Sequence, residues 1–233
     1  MNYGGVTFKH VWDFQIKIMM GSQYKRCVQA TSTNDIILAC MRLGWNDAFR
    51  HTSKNIDRIK ETKKEDIIVS ICESIRNNFI HYAALTTTEK RHDYINECLK
   101  NENFISSFGK IKNVASGTEK SLCFGHIQKM FNMAIKLFLC LKICAEQAKD
   151  MKIDIGLEAS LFDCNFAFDT ADCPIDSIIL ANNKLSIYSK SKWSKLGQDK
   201  DNPTEDYKTI QSAISKVQNE GESNLLFDFE NWS

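Results

Sequence analysis

Apolar residues recur at three- and four-residue steps through the middle of the chain, at Phe124, Ile127, Phe131, Ala134, Phe138, Leu141 and Ala145. That period marks one buried helical stripe. Met130, Met133 and Leu137 widen it past a single face, so the pattern predicts a central helix starting at residue 122 or 125 and running to about 147. A second stripe, Ile67, Ile68, Ile71, Ile75 and Phe79, predicts a helix over residues 65–80. Lys129, Lys136 and Lys142 interrupt the central run too often for a bilayer span, so no membrane partner is expected.

Polar residues punctuate these stripes. Ser32-Thr33-Asn34-Asp35 offers N-caps before an apolar run at 36–41, and Gly44 is expected to end that helix. Thr86-Thr87-Thr88-Glu89 precedes a helix to about Leu99, with Tyr94, Ile95 and Cys98 on one side. Asn202, Pro203 and Glu205 form a capping arrangement for a last helix whose expected buried face is Ile210, Ile214 and Val217. The apolar tail at 225–232 is expected to pack back onto the body. Residues 5–30 do not settle between strand and helix, and 150–172 blurs into short runs. Gly109 and Gly117 bracket a polar loop at 110–116, which divides an N-terminal helical layer (1–116) from a core (117–233) within one compact unit.

Two prolines and ten glycines in 233 residues suit long helices better than a turn-rich β fold. The expected class is therefore mainly α, a compact multi-helix fold with room for a few short strands. Thirty basic against 29 acidic residues leave a formal charge of +1, which is not the footprint of a strongly basic nucleic-acid binder. A local basic run remains at Lys110, Lys112, Lys120, Lys129, Lys136 and Lys142, the ordinary reading of which is a solvated face. Nine cysteines are scattered without a Cys-x-x-Cys pair, and the N-terminus lacks a basic segment followed by an apolar one. Both features point to a reduced, cytoplasmic protein. No His/Cys spacing suits zinc, and no P-loop, Gly-x-Ser-x-Gly or His-Glu-x-x-His occurs, so no metal or cofactor is expected.

The candidate chemistry lies in two places. Lys129 sits in the first turns of the central helix, where burial penalises an ammonium and favours a neutral, nucleophilic amine. Asp176 follows Cys173-Pro174-Ile175 and precedes Ser177-Ile178-Ile179-Leu180; Pro174 fixes the local φ, and Asp176 is a natural N-cap. The competing reading makes the two a structural ion pair. Free amides at the helix start, near 124–127, are also suited to an anion.

A helix opening Gly-x-x-x-Lys, followed by Pro-x-Asp before an apolar helix, resembles the core of the helix-hairpin-helix DNA glycosylases, nearest to their 8-oxoguanine glycosylase branch. The likeness covers about residues 117–182. Only Gly125 stands before the lysine, where that family usually carries a Gly-x-Gly hairpin, and an acidic patch with Asp163, Asp169 and Asp172 lengthens the intervening segment.

The resemblance implies DNA as partner and excision of a modified base, hydrolase and lyase chemistry serving DNA repair or phage defence. Lys129 would attack the sugar carbon, and Asp176 would support the cationic transition state. Gly125, His126, Gln128 and Lys136 are the expected DNA contacts on the helix, with Lys192 and Trp193 from a stretch that interleaves bases and aromatics. Trp45, Phe49 and His51 are candidates for a base pocket, since aromatic faces stack on bases, with core packing as the plainer reading. The alternative function is a non-enzymatic helical module that binds a protein partner or nucleic acid. An open, basic cleft around Lys129 and Asp176 favours the enzyme; a closed pair favours the module.

Overall fold

The computed structural model describes residues 8–49, 61–109, 122–197 and 206–231. Their regular structure is all helical: ten α-helices and several 3-10 turns, with no strand among the described residues. None of the short strands allowed for above occurs among the described residues. α1 (Phe8–Met20) and α2 (Tyr24–Val28), joined through a 3-10 turn, resolve the ambiguous opening as helix.

α3 (Thr33–Ala48) starts where its cap predicts. Ser32 Oγ accepts from Asp35 N at 3.3 Å and Asp35 Oδ2 accepts from Ser32 N at 2.9 Å, a reciprocal capping box. The helix does not stop at Gly44. A Cβ at that position would lie 2.4 Å from Met130 O, so the glycine is the point where two helix backbones touch. A glycine inside a helix costs about 1 kcal/mol against alanine. The close contact explains its presence.

α4 (Glu61–Ala84) extends past its apolar stripe at both ends, and α5 (Thr88–Cys98) takes Thr87 as its cap. α6 (Glu102–Ser107) follows. The expected boundary loop at 110–116 lies outside the described residues.

The central helix, α7 (Phe124–Asp150), is buried along the predicted stripe from Phe124 to Ala145. Phe79 and Tyr82 of α4 pack on Phe131, while Phe138 meets Phe162, Phe166 and Phe168. The blurred region after α7 is thus a series of bends and 3-10 turns whose phenylalanines cover the helix. Buried residues of both halves of the chain join one hydrophobic cluster.

After the single turn α8 (Ser177–Leu180), the chain reaches α9 (Tyr207–Ser215) and α10 (Asn224–Asn231). The cap of α9 is Asp206, which accepts from Lys208 N at 3.1 Å; Asn202, Pro203 and Glu205 lie outside the described residues. Ile210 and Ile214 are buried, but Val217 falls beyond the helix end and is exposed. The tail packs back as expected, burying Leu225 and Phe227. No described helix is long and apolar enough to cross a membrane.

Candidate active site

Three helix ends converge on one ammonium. Lys129 Nζ, in the second turn of α7, lies 2.9 Å from Asp47 Oδ2 on the last turn of α3 and 3.5 Å from Asp176 Oδ2 at the start of α8. The Trp193 ring covers the same group, its centroid 5.0 Å from Nζ. Lys129 is 7% exposed and Asp176 8% exposed, so the pair is nearly closed; the Asp47 side chain is more open, at 23%. A buried ammonium requires such partners.

Asp176 is held from both sides. Its Oδ1 accepts from Ile178 N at 2.8 Å and Ile179 N at 3.0 Å, the N-cap of α8, which leaves Oδ2 turned toward Lys129. The segment leading to it runs beside two glutamine amides. Gln128 donates to Ile175 O at 2.7 Å and accepts from Ile175 N at 3.1 Å. Gln211 does the same to Cys173, donating to its O at 2.7 Å and accepting from its N at 3.1 Å. Each amide thus replaces the neighbouring strand that an extended segment otherwise needs to satisfy its backbone.

Below this clamp a polar network continues into the core. Tyr82 donates to Asn132 Oδ1 at 2.8 Å, Asn132 donates to the Tyr207 hydroxyl at 2.9 Å, and Tyr207 donates to Asp172 Oδ2 at 2.9 Å. Arg91, fully buried, lies 3.6 Å from Asp172 and donates to the carbonyls of Thr170 and Leu85. Burial pushes the Asp172 carboxyl up, with Arg91 pulling the other way.

Known families, curated proteins and solved structures offer no match to this chain.

Of the expected DNA contacts, Gly125 and Gln128 are interior positions. A Cβ on Gly125 would sit 2.0 Å from Trp193 O, so the glycine lets the 193–194 backbone lie directly on the start of α7. Gln128 is buried and engaged with Ile175. His126, also buried, stacks on Phe49 at 5.0 Å between ring centroids and meets the Trp193 ring edge at 5.5 Å; its Nδ1 lies 2.7 Å from Cys123 Sγ. Lys136 pairs with Asp228 beneath Phe229. Lys192 is exposed and Trp193 half-buried.

Trp45 and Phe49 are fully buried and stack on each other at 4.0 Å, with Phe108 beyond. They form the wall behind His126. His51 lies outside the described residues. Lys129, Lys136 and Lys142, the described members of the basic run, each face a carboxylate.

Asp47 was not among the candidates read from the sequence. The signal was present: Gly44 marks a close helix contact, and an acid one turn later lies on the same face. Burial pushes the thiols of Cys27 and Cys72 up to about 12, which suits packing rather than nucleophilic attack. Among the described residues no group of three or more His, Cys, Asp or Glu side chains is arranged to hold a metal. Two surface clefts, one containing Lys142, Phe162 and Cys164 and the other Glu146, Lys149 and Ser160, lie along the opposite end of α7.

Proposed function

We propose that this protein is a DNA glycosylase with AP-lyase capacity, acting on a base flipped out of the duplex. The observation that carries the reading is the approach of Lys129 Nζ to Asp176 Oδ2, with Oδ1 fixed by two backbone amides, at a pair that is nearly closed but keeps an edge toward the surface through the 23% exposed Asp47 side chain and the half-buried Trp193. Such a carboxylate is oriented before reaction and is suited to positive charge developing on a sugar as the glycosidic bond breaks. The amine beside it supplies a nucleophile for C1′. Trp193, half-buried over the ammonium, is the group that a base or sugar entering the site would displace or stack upon.

Near burial of the pair favours a second reading, a helical binding module in which Lys129, Asp47 and Asp176 hold three helices together. Borohydride trapping on duplex DNA with an abasic site separates the two. The enzyme gives a covalent adduct that is lost in Lys129→Ala and severely reduced in Asp176→Asn. The module gives none from the folded wild type, nor any base release from duplexes carrying a panel of modified bases.

A further inference from the structure

We infer that Asp47 is the base that takes the proton from Lys129 before attack, a catalytic residue distinct from Asp176. The inference rests on the glycosylase/lyase reading above and assigns different work to its two carboxylates. An ammonium has no lone pair, so attack by Lys129 requires a proton acceptor within hydrogen-bond reach. Asp47 Oδ2 is within that reach at 2.9 Å, whereas Asp176 Oδ2 stands at 3.5 Å.

The surroundings divide the roles further. Asp176 is pinned as a helix cap through Oδ1 and is the less exposed of the two. It is built to remain an oriented charge beside the sugar. Asp47 ends α3 with its side chain 23% exposed, so a proton it accepts has a route to solvent. Placement of Asp47 depends on Gly44, which lets α3 lie against the α7 backbone at Met130, next to Lys129.

On an abasic site the step balances as follows. Lys129 Nζ–H passes its proton to Asp47 Oδ2, and the freed lone pair forms an N–C bond at the C1′ aldehyde carbon. The carbonyl oxygen takes the proton back from Asp47 and a second proton from the amine and leaves as water, which gives the protonated C1′=N Schiff base and restores the Asp47 carboxylate. On an intact nucleotide the same lone pair attacks C1′ as the glycosidic pair leaves with the base, which takes up the proton that Asp47 removed from Lys129.

Among the described residues, the charged and titratable groups around this step include Asp47 from α3, Asp176 from the start of α8, and His126 with Cys123 one turn earlier on α7. The Lys136–Asp228 pair lies farther along, where Asp228 feels both site carboxylates.

The test is the rate of borohydride trapping on abasic duplex between pH 6 and 9, for wild type, Asp47→Asn, Asp47→Glu and Lys129→Ala, with folding checked by circular dichroism. For Asp47→Asn the expected rate at pH 7 is about 100-fold below wild type and rises steeply with pH as hydroxide replaces the missing base. Asp47→Glu, which keeps a carboxylate, recovers most of the loss. If Asp47→Asn does not fold, Asp47→Ser carries the same comparison. Trapping by Asp47→Asn at the wild-type rate, or a deficit that does not change with pH, overturns the role of Asp47 and leaves Lys129 as nucleophile. No wild-type adduct at any pH overturns the glycosylase/lyase reading and this role together.

Discussion

The side-chain amide of Gln128 grips the backbone of Ile175 by both its N–H and its C=O, at 3.1 and 2.7 Å. Each residue is the immediate neighbour of a site residue, Gln128 of Lys129 and Ile175 of Asp176. The two-point bond therefore sets how far the carboxylate stands from the ammonium. Gln211 repeats the grip two residues earlier, at Cys173, which keeps the whole approach to Asp176 extended.

Gln128→Met keeps the volume and removes the grip. Buried backbone groups at Ile175 lose their partner, so urea unfolding is expected to show a loss of about 2–4 kcal/mol. On the proposed glycosylase/lyase reading, adduct formation by the surviving folded protein should fall more than the stability change explains, because Asp176 is no longer held in register with Lys129.

Gly44→Ala tests the helix contact by its sign. At an ordinary helix interior alanine would add about 1 kcal/mol. Here the new Cβ would meet the backbone oxygen of Met130 at 2.4 Å, an atom that cannot swing aside as a side-chain end can, so the variant is expected to melt at a lower temperature than wild type. A higher melting temperature would show that α3 and α7 do not touch at this point. Asp47 shares the displaced helix, and on the proposed glycosylase/lyase reading trapping should fall with it.

Trp193→Ala uncovers Lys129. Loss of the ring contact is expected to cost about 0.5–2 kcal/mol. Modification of Lys129 by an amine reagent, followed by mass spectrometry of peptides, should become several-fold faster. An unchanged rate would mean that Trp193 does not shield the ammonium in solution.

The Asp172 network makes a prediction about pH. Burial raises the folded carboxyl of Asp172 above its ordinary 3.8, so the folded protein holds that proton more tightly than the unfolded chain. Its contribution to stability is complete below 3.8 and is lost as pH rises through the folded value. The destabilisation caused by Asp172→Asn should consequently be greatest in acid and shrink toward neutral pH, as read from urea unfolding across that range. Arg91→Met goes the other way at neutral pH. It strands a buried carboxylate and is expected to cost about 3–5 kcal/mol.

Much of the helical layout was legible because its signals are local. The stripe from Phe124 to Ala145 needs one face of one helix, and it is buried along that length. Ser32 and Asp35 cap α3 through bonds that span three residues. Gly44 departs from its local signal for the same reason: a glycine after an apolar run has a local meaning as a stop, and its actual role depends on Met130, far along the chain. Trp45 and Phe49 carried two readings at the sequence level, and the structure stacks them in the core behind His126.

Hydrophobic period, capping residues and scarcity of proline and glycine were enough to determine a helical protein with one heavily buried central helix, and to single out Lys129 and Asp176. Tertiary structure alone decided that these two meet, that Asp47 joins them, and that two glutamines hold the extended segment between them. Periodicity reports which residues face inward; it carries no information on which inward faces will touch. That choice belongs to the packing of α3, α7 and α8, where a glycine sets the helix approach and buried amides fix the backbone.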